Sequence, residues 1–407
     1  LGLSSRALHI LPGDRDASMA LSQAFVGLGR HREAERILSN LVARYPDSPE
    51  VRYRMADNLA LMGQLNSAIH HYDILMRLAP DSGDFRRSRA GVLYGLGRVD
   101  EAIGEWKALA DADPPDLKAM INLGWAAWHK RDFENAFAYG SRLVALQPNR
   151  TTYLRFLANI QIERGVPAAA LRLAQRILDL AGTDKDASLL KAKALFHLQR
   201  DGEAMAVLRR LVQEHPKDRL ILFHMADFLD QIDRKLEALE FFDRLVGAYP
   251  QNAAYRKRRA RLHYELGRYD EALAEWKRLA KERPYDAEPV EQLLEDAMAR
   301  QSWKDAFAWI RELSGIRSLD AGGWLRLTSI LRELGRYEEA LAAADKAIAL
   351  DPNTLSGHYF KAEIYEKLED WSSARTIYEV VLTHTPNSMR ALASTMHPSL
   401  KKNYDPA

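Results

Sequence analysis

The side chains that could do chemistry in this chain are histidines and carboxylates, because cysteine is absent. That absence removes thiol nucleophiles, thiolate metal sites and disulfides together. Twelve histidines invite a search for a metal site. None stands in an H-E-x-x-H run, the spacing that puts two imidazoles on one helical face. His70 and His71 are adjacent and diverge on a helix, and His129 and His197 lie far apart in the chain. The pairs Gly27–Gly29 and Gly95–Gly97 imitate part of a phosphate loop. They follow helical rather than strand patterns, and no G-x-x-x-x-G-K-[ST] run exists. Carboxylates are plentiful, yet none is paired in an evident pocket that would raise a pKa for acid–base work. Asn149-Arg150-Thr151 matches a glycosylation sequon and is read as incidental. The expectation is a non-catalytic protein with no metal and no cofactor.

The elements that would position any binding residues follow from composition and period. The chain has 58 basic and 56 acidic residues, a formal net charge of +2, which lacks the basic excess that general nucleic-acid binding needs. No apolar run is long enough to span a membrane, and no signal peptide is visible. A cysteine-free chain suits either periplasm or cytoplasm. The 407 residues exceed what one globule usually holds, so several domains or a repeat array are expected.

Proline placement decides for the array. Pro12, Pro46, Pro80, Pro114 and Pro148 are each 34 residues apart, and the series continues through Pro216, Pro250, Pro284, Pro352 and Pro386, with Gly182 and Ser318 at the two gaps. Proline just past a helix end stops it, because it lacks the N–H and restricts the preceding residue. Counting 34-residue repeats from residue 15, position 20 is alanine in every one: Ala34, Ala68, Ala102, Ala136, Ala170, Ala204, Ala238, Ala272, Ala306, Ala340 and Ala374. Position 8 is mostly small, with Leu294 and Thr328 as the larger exceptions. Small residues on facing helices let the axes approach closely. Position 15 is glycine in six repeats, which suits a left-handed cap between helices. Arg131, Gln199, Asp233, Gln301 and Glu369 hold it in the others, where the turn should be less favourable. Large residues at position 24, such as Tyr72, Trp106, Phe242 and Trp276, alternate with the small ones as knobs with holes.

These residues resemble the tetratricopeptide repeat family, whose signature pairs small residues at 8 and 20 with aromatics and a terminal proline. The repeat 253–286, with Ala260, Gly267, Tyr269, Ala272, Trp276 and Pro284, is the clearest, and GLGRVDEA and ELGRYDEA match the family's turn. The departures at Gly182, Leu294 and Ser318 predict a local change of pitch or a looser interface. The resemblance implies an all-α fold, a right-handed superhelical solenoid. It divides the chain into residues 1–14 as the second helix of a truncated upstream repeat, 15–388 as eleven repeats, and 389–407 as a partial twelfth repeat and tail. Residues 1–12 carry Ala7, Leu8 and Leu11 at apolar positions, and Pro398 interrupts the twelfth repeat. Neither end looks like a polar cap, and the chain starts at Leu1, so a segment of a longer protein, or one end covered by another domain, is expected.

The family also implies that first helices line a concave groove. The residues then expected to bind a partner protein or peptide are Arg87, Tyr94, Trp125, Trp128, Arg155 and Phe196, followed by Asp227, Asp230, Lys257, Arg261 and Tyr264. Trp125 and Trp128 share a helical side. Aromatics beside arginines are what binding hot spots are built from, though the tryptophans could equally pack on the next repeat. Glu291, Glu295, Glu363 and Glu366 extend an acidic stretch that an ordinary solvated face would also explain. The basic run Arg256–Arg259 with Arg261 fans around its helix, which favours pairing with the next repeat's acids or an acidic peptide over nucleic acid.

The expected function is a protein-interaction scaffold without direct membrane insertion. Long arrays of this kind resemble the periplasmic repeat regions of bacterial exopolysaccharide export proteins of the Pel, cellulose or poly-N-acetylglucosamine type. That would imply a bacterial periplasmic location, with cytoplasm as the alternative, a role in biofilm polymer handling, and exopolysaccharide as a second partner. Two alternatives stay open: a docking or regulatory region of a larger polysaccharide-active enzyme, and direct glycan binding on Trp125, Trp128 and Tyr94.

Overall fold

The computed structural model describes residues 14–385, 388, 391 and 392. The upstream segment with Ala7, Leu8 and Leu11, Pro386, and Pro398 lie outside the described residues. Of the partial twelfth repeat only Ala391 and Leu392 are described, and both are helical.

All regular structure among the described residues is helical. First helices begin at Arg15, Pro49, Gly83, Leu117, Thr151, Lys185, Arg219, Ala253, Ala287, Ala321 and Leu355, each 34 residues after the last. A second helix starts 16 residues into each repeat, from His31 in repeat one to Trp371 in repeat eleven.

The two kinds of helix start differently. Most first helices have a side-chain cap: Asp14, Ser48, Ser82, Asp116, Asp184, Asp218, Asn252, Asp286 and Asp320 each accept a hydrogen bond from a first-turn N–H. This satisfies donors that the helix itself leaves open. Most second helices have no such cap, because the preceding turn sets their direction. In repeat one, the Arg30 N–H reaches back to the Phe25 carbonyl at 2.9 Å, and Gly29 holds φ +71°. This wrapped helix end needs a left-handed residue. Arg131, Gln199, Asp233, Gln301 and Glu369 adopt the same conformation, with φ from 57° to 61°.

Packing follows the small positions. Every position-20 alanine is between 0% and 2% exposed. The position-24 side chains Leu38, Tyr72, Trp106, Leu208, Phe242, Trp276, Ile310 and Tyr378 are buried against them. Gly124 shows how close the approach is: a Cβ there would lie 2.6 Å from the Phe156 ring. Leu294 and Thr328, the large exceptions at position 8, are also fully buried. The helix Pro167–Ala181 runs one residue longer than its counterpart Asp201–Glu214, and Gly182 ends it at φ +71°.

The chain forms two compact bodies, Leu1–His215 and Pro216–Ala407. In the first, a continuous apolar core runs from Met19 to Ile160. In the second, an apolar core runs from Ala253 to Ile330. Each body is a stack in which a repeat buries its faces against its neighbours, as repeat arrays require.

Candidate partner-binding surface

In the first body the aromatic candidates separate by exposure. Trp125 and Trp128 lie on Leu117–His129, three residues apart, with ring centroids 5.6 Å from each other. Trp125 also packs at a tilt 4.9 Å from Phe156 of the following repeat and approaches His129 at 6.4 Å. It still leaves 42% of its surface exposed. Trp128 is half-buried, edge-on to Phe133 at 6.1 Å, and forms the floor. The rings thus pack on the next repeat while Trp125 keeps part of its surface open. Tyr94 is half-buried against Trp106 at 5.6 Å, and Phe196 is half-buried beside His197 at 5.7 Å. Neither presents an open face like that of Trp125.

The charged candidates have another job. Arg87 pairs with Asp84 and with Asp116, the cap of the next repeat's first helix. Arg155 pairs with Asp184 at 2.6 Å and Asp186 at 3.5 Å. In the second body Lys257 pairs with Asp286 at 2.6 Å and Glu288 at 2.8 Å. All three cations sit at position 5 of their repeats, and each grips the aspartate that caps the helix after it. Burial alone would pull the Arg87 and Lys257 pKa values down. Hydrogen bonds and charge from the gripped carboxylates reverse that, leaving both raised. Tyr359 makes the uncharged version of this latch, its hydroxyl 2.7 Å from the Ser388 hydroxyl.

Asp227 and Asp230 face Arg258, which binds Asp227 closely and lies 3.7 Å from Asp230. Arg261 approaches Asp230 at 3.8 Å and Glu265 at 3.6 Å. The acidic stretch and the basic run thus meet each other across adjacent repeats. Arg256 is buried between Glu275 and Glu282. Tyr264 packs edge-on to Tyr269 at 4.9 Å and against Trp276 at 5.3 Å. Burial, then the Asp296 carboxylate, raises its pKa. Further along, Glu291 pairs with Arg317, and Glu363 with Arg332.

One recurrent contact escaped the sequence reading. Arg89 meets Asp73 at 2.8 Å, Arg259 meets Asp243 at 3.4 Å, and Lys361 meets Asp345 at 2.6 Å. Each joins position 7 to position 25 of the repeat before, and Lys191 with Gln175 is the uncharged counterpart at 2.9 Å. A recurring basic residue 16 places after an acid is the signal that would have found it.

Among the described residues no group of three histidine or carboxylate side chains is placed to hold a metal ion, and no helix is long and apolar enough to cross a membrane.

A stack of capped helix pairs, close-packed on alanine and latched between repeats, defines a helical-repeat array. Two sequence profiles described as tetratricopeptide repeat match it, one over residues 1–57, 161–222 and 331–396, the other over 53–116, 105–151 and 226–287. The chain belongs to the tetratricopeptide repeat family. It is similar to Hsp70-Hsp90 organizing protein 2 of Arabidopsis thaliana, 22% identical over 273 residues, covering 66% of this chain and 42% of that protein. It is also similar to Protein O-mannosyl-transferase TMTC1 of Mus musculus, 23% identical over 163 residues, covering 39% of this chain and 17% of that protein. The chain therefore spans less than half the length of these curated relatives. Among solved structures, the C-terminal part of a repeat protein from Cytophaga hutchinsonii aligns with a TM-score of 0.47 at 17% identity, over 58% of this chain and 97% of that one.

Proposed function

We propose that this chain is a non-catalytic scaffold that binds a partner protein or peptide, with Trp125 as an anchor on the first-helix side of repeat four. The observation that carries the reading is the exposed face of Trp125, set on the buried Phe156 and half-buried Trp128. A large aromatic held rigid by its neighbours loses little entropy when a partner covers it. Membership of the repeat family supports the reading, as does the similarity to a protein named for organizing two others. The finer setting proposed is a bacterial periplasmic assembly for exopolysaccharide export, which the length of the array favours and its cysteine-free composition suits.

Crosslinking capture from a native extract tests the proposal, with wild type run beside Trp125→Ala. A partner held by wild type and lost by the variant supports it. A partner held equally by both moves the site away from repeat four. Capture of no protein, together with millimolar oligosaccharide binding that Trp125→Ala abolishes, would replace it with the glycan reading that the same exposed ring favours.

A further inference from the structure

In repeat ten a side chain that every other repeat supplies is missing. Position 23 carries Ile37, His71, Glu105, Tyr139, Leu173, Val207, Phe241, Glu275, Trp309 and Ile377 in the other repeats, and Ala343 here. Where that side chain is long it can reach position 7 of its own first helix, as Glu105 reaches Arg89 and Glu275 reaches Arg259. In repeat ten position 7 is Leu327, half-buried, and the small Ala343 leaves a gap beside it. The result is an open, largely apolar slot of about 320 Å³, with Leu327, Leu331, Phe307 and Trp324 among its lining residues.

Its rim is cationic. Lys346 lies over the Trp324 ring at 4.4 Å, and Arg311 over the Phe307 ring at 5.9 Å. No carboxylate pairs with either cation among the described residues. The carboxylate that also lines the slot, Glu339, is bound bidentately by Arg336, at 2.7 and 2.6 Å. Both cations sit on second helices, Arg311 on Trp303–Ile316 and Lys346 on Tyr337–Leu350, so they flank the slot from two sides.

We infer that the slot between the helices Trp303–Ile316, Ala321–Glu333 and Tyr337–Leu350 binds an acidic amphipathic peptide, one large apolar side chain entering over Leu327 while flanking carboxylates meet Lys346 and Arg311. Charge complementarity selects this occupant. A slot open along its side suits a side chain projecting from a peptide rather than a sheathed alkyl chain. The site is separate from Trp125, which lies in the other body.

The full chain is titrated into a fluorescein-labelled helical peptide with a leucine stripe flanked by glutamates, and anisotropy is read. The controls are the same peptide with lysines for glutamates, and palmitate. The acidic peptide should bind wild type and Trp125→Ala equally. Binding should weaken at least tenfold in Lys346→Glu/Arg311→Glu, and also in Ala343→Ile, which restores the bulk found in the other repeats. Circular dichroism checks that both variants keep their helix content. Equal affinity across folded variants, no binding of the acidic peptide, or preference for the lysine peptide or palmitate would each overturn the inference.

Discussion

At the residue scale, backbone conformation and half-buried histidines make the clearest demands. Gln301 and Glu369 hold left-handed backbone at φ 57° and 61°. Side chains with a Cβ pay about 1–2 kcal/mol there. Glycine removes that strain but loses more entropy on folding. Gln301→Gly should therefore raise stability by about 0.5–1 kcal/mol, seen as a higher urea midpoint at unchanged slope. His71 is half-buried, with its Nδ1 lacking a hydrogen-bond partner. Burial first, then the charges of Arg52 and His70, push its pKa below the ordinary 6.5. His263 and His358 are lowered as well, again chiefly by burial. The unfolded chain then binds more protons than the native one as pH falls through 6.5. Their contribution is present above that pH and lost below it. His71→Gln should narrow the fall in urea midpoint between pH 7 and pH 5.5; an identical fall in the variant would remove His71 as a cause.

At the element scale, the period made the helices, the small positions and the left-handed turns legible before any coordinates, because each follows from chain-local rules. The charged residues were legible only in part. Periodicity put Arg87, Arg155 and Lys257 on first helices, but not their distance to the next repeat's cap. All three pair with an aspartate 29 places onward, Asp116, Asp184 and Asp286. A side chain long enough to cross between repeats is decided by stacking geometry, which no single-helix pattern encodes. The aromatic pair was ambiguous for the same reason: whether Trp125 is covered depends on where Phe156 of the next repeat lands. Two substitutions test the close approach. Gly124→Ala forces a Cβ into the Phe156 ring, and Ala272→Leu overpacks a site that is fully buried. Each should cost about 1–3 kcal/mol. Unchanged denaturant stability would contradict close packing at those positions.

At the scale of the whole molecule, stability in a stacked array is a sum of repeats and their interfaces. Damage should stay local. In Ala272→Leu, amide hydrogen exchange should quicken in repeat eight and its neighbours while repeats one to three keep wild-type protection. A uniform rise along the chain would mean one cooperative block instead. The same locality divides labour on the surface: ion pairs such as Lys257 with Asp286 join repeats, and Trp125 keeps an exposed face, which we propose a partner covers.

That division is the central claim, and one paired measurement tests it most directly. Once a partner is captured, its affinity and the urea midpoint are measured for Trp125→Ala and Lys257→Ala. The account predicts that Trp125→Ala loses at least tenfold in affinity while staying folded. Lys257→Ala should keep its affinity and lose about 0.5–1 kcal/mol of stability, the scale of a partly exposed pair. Full affinity in Trp125→Ala with a tenfold loss in Lys257→Ala would contradict it.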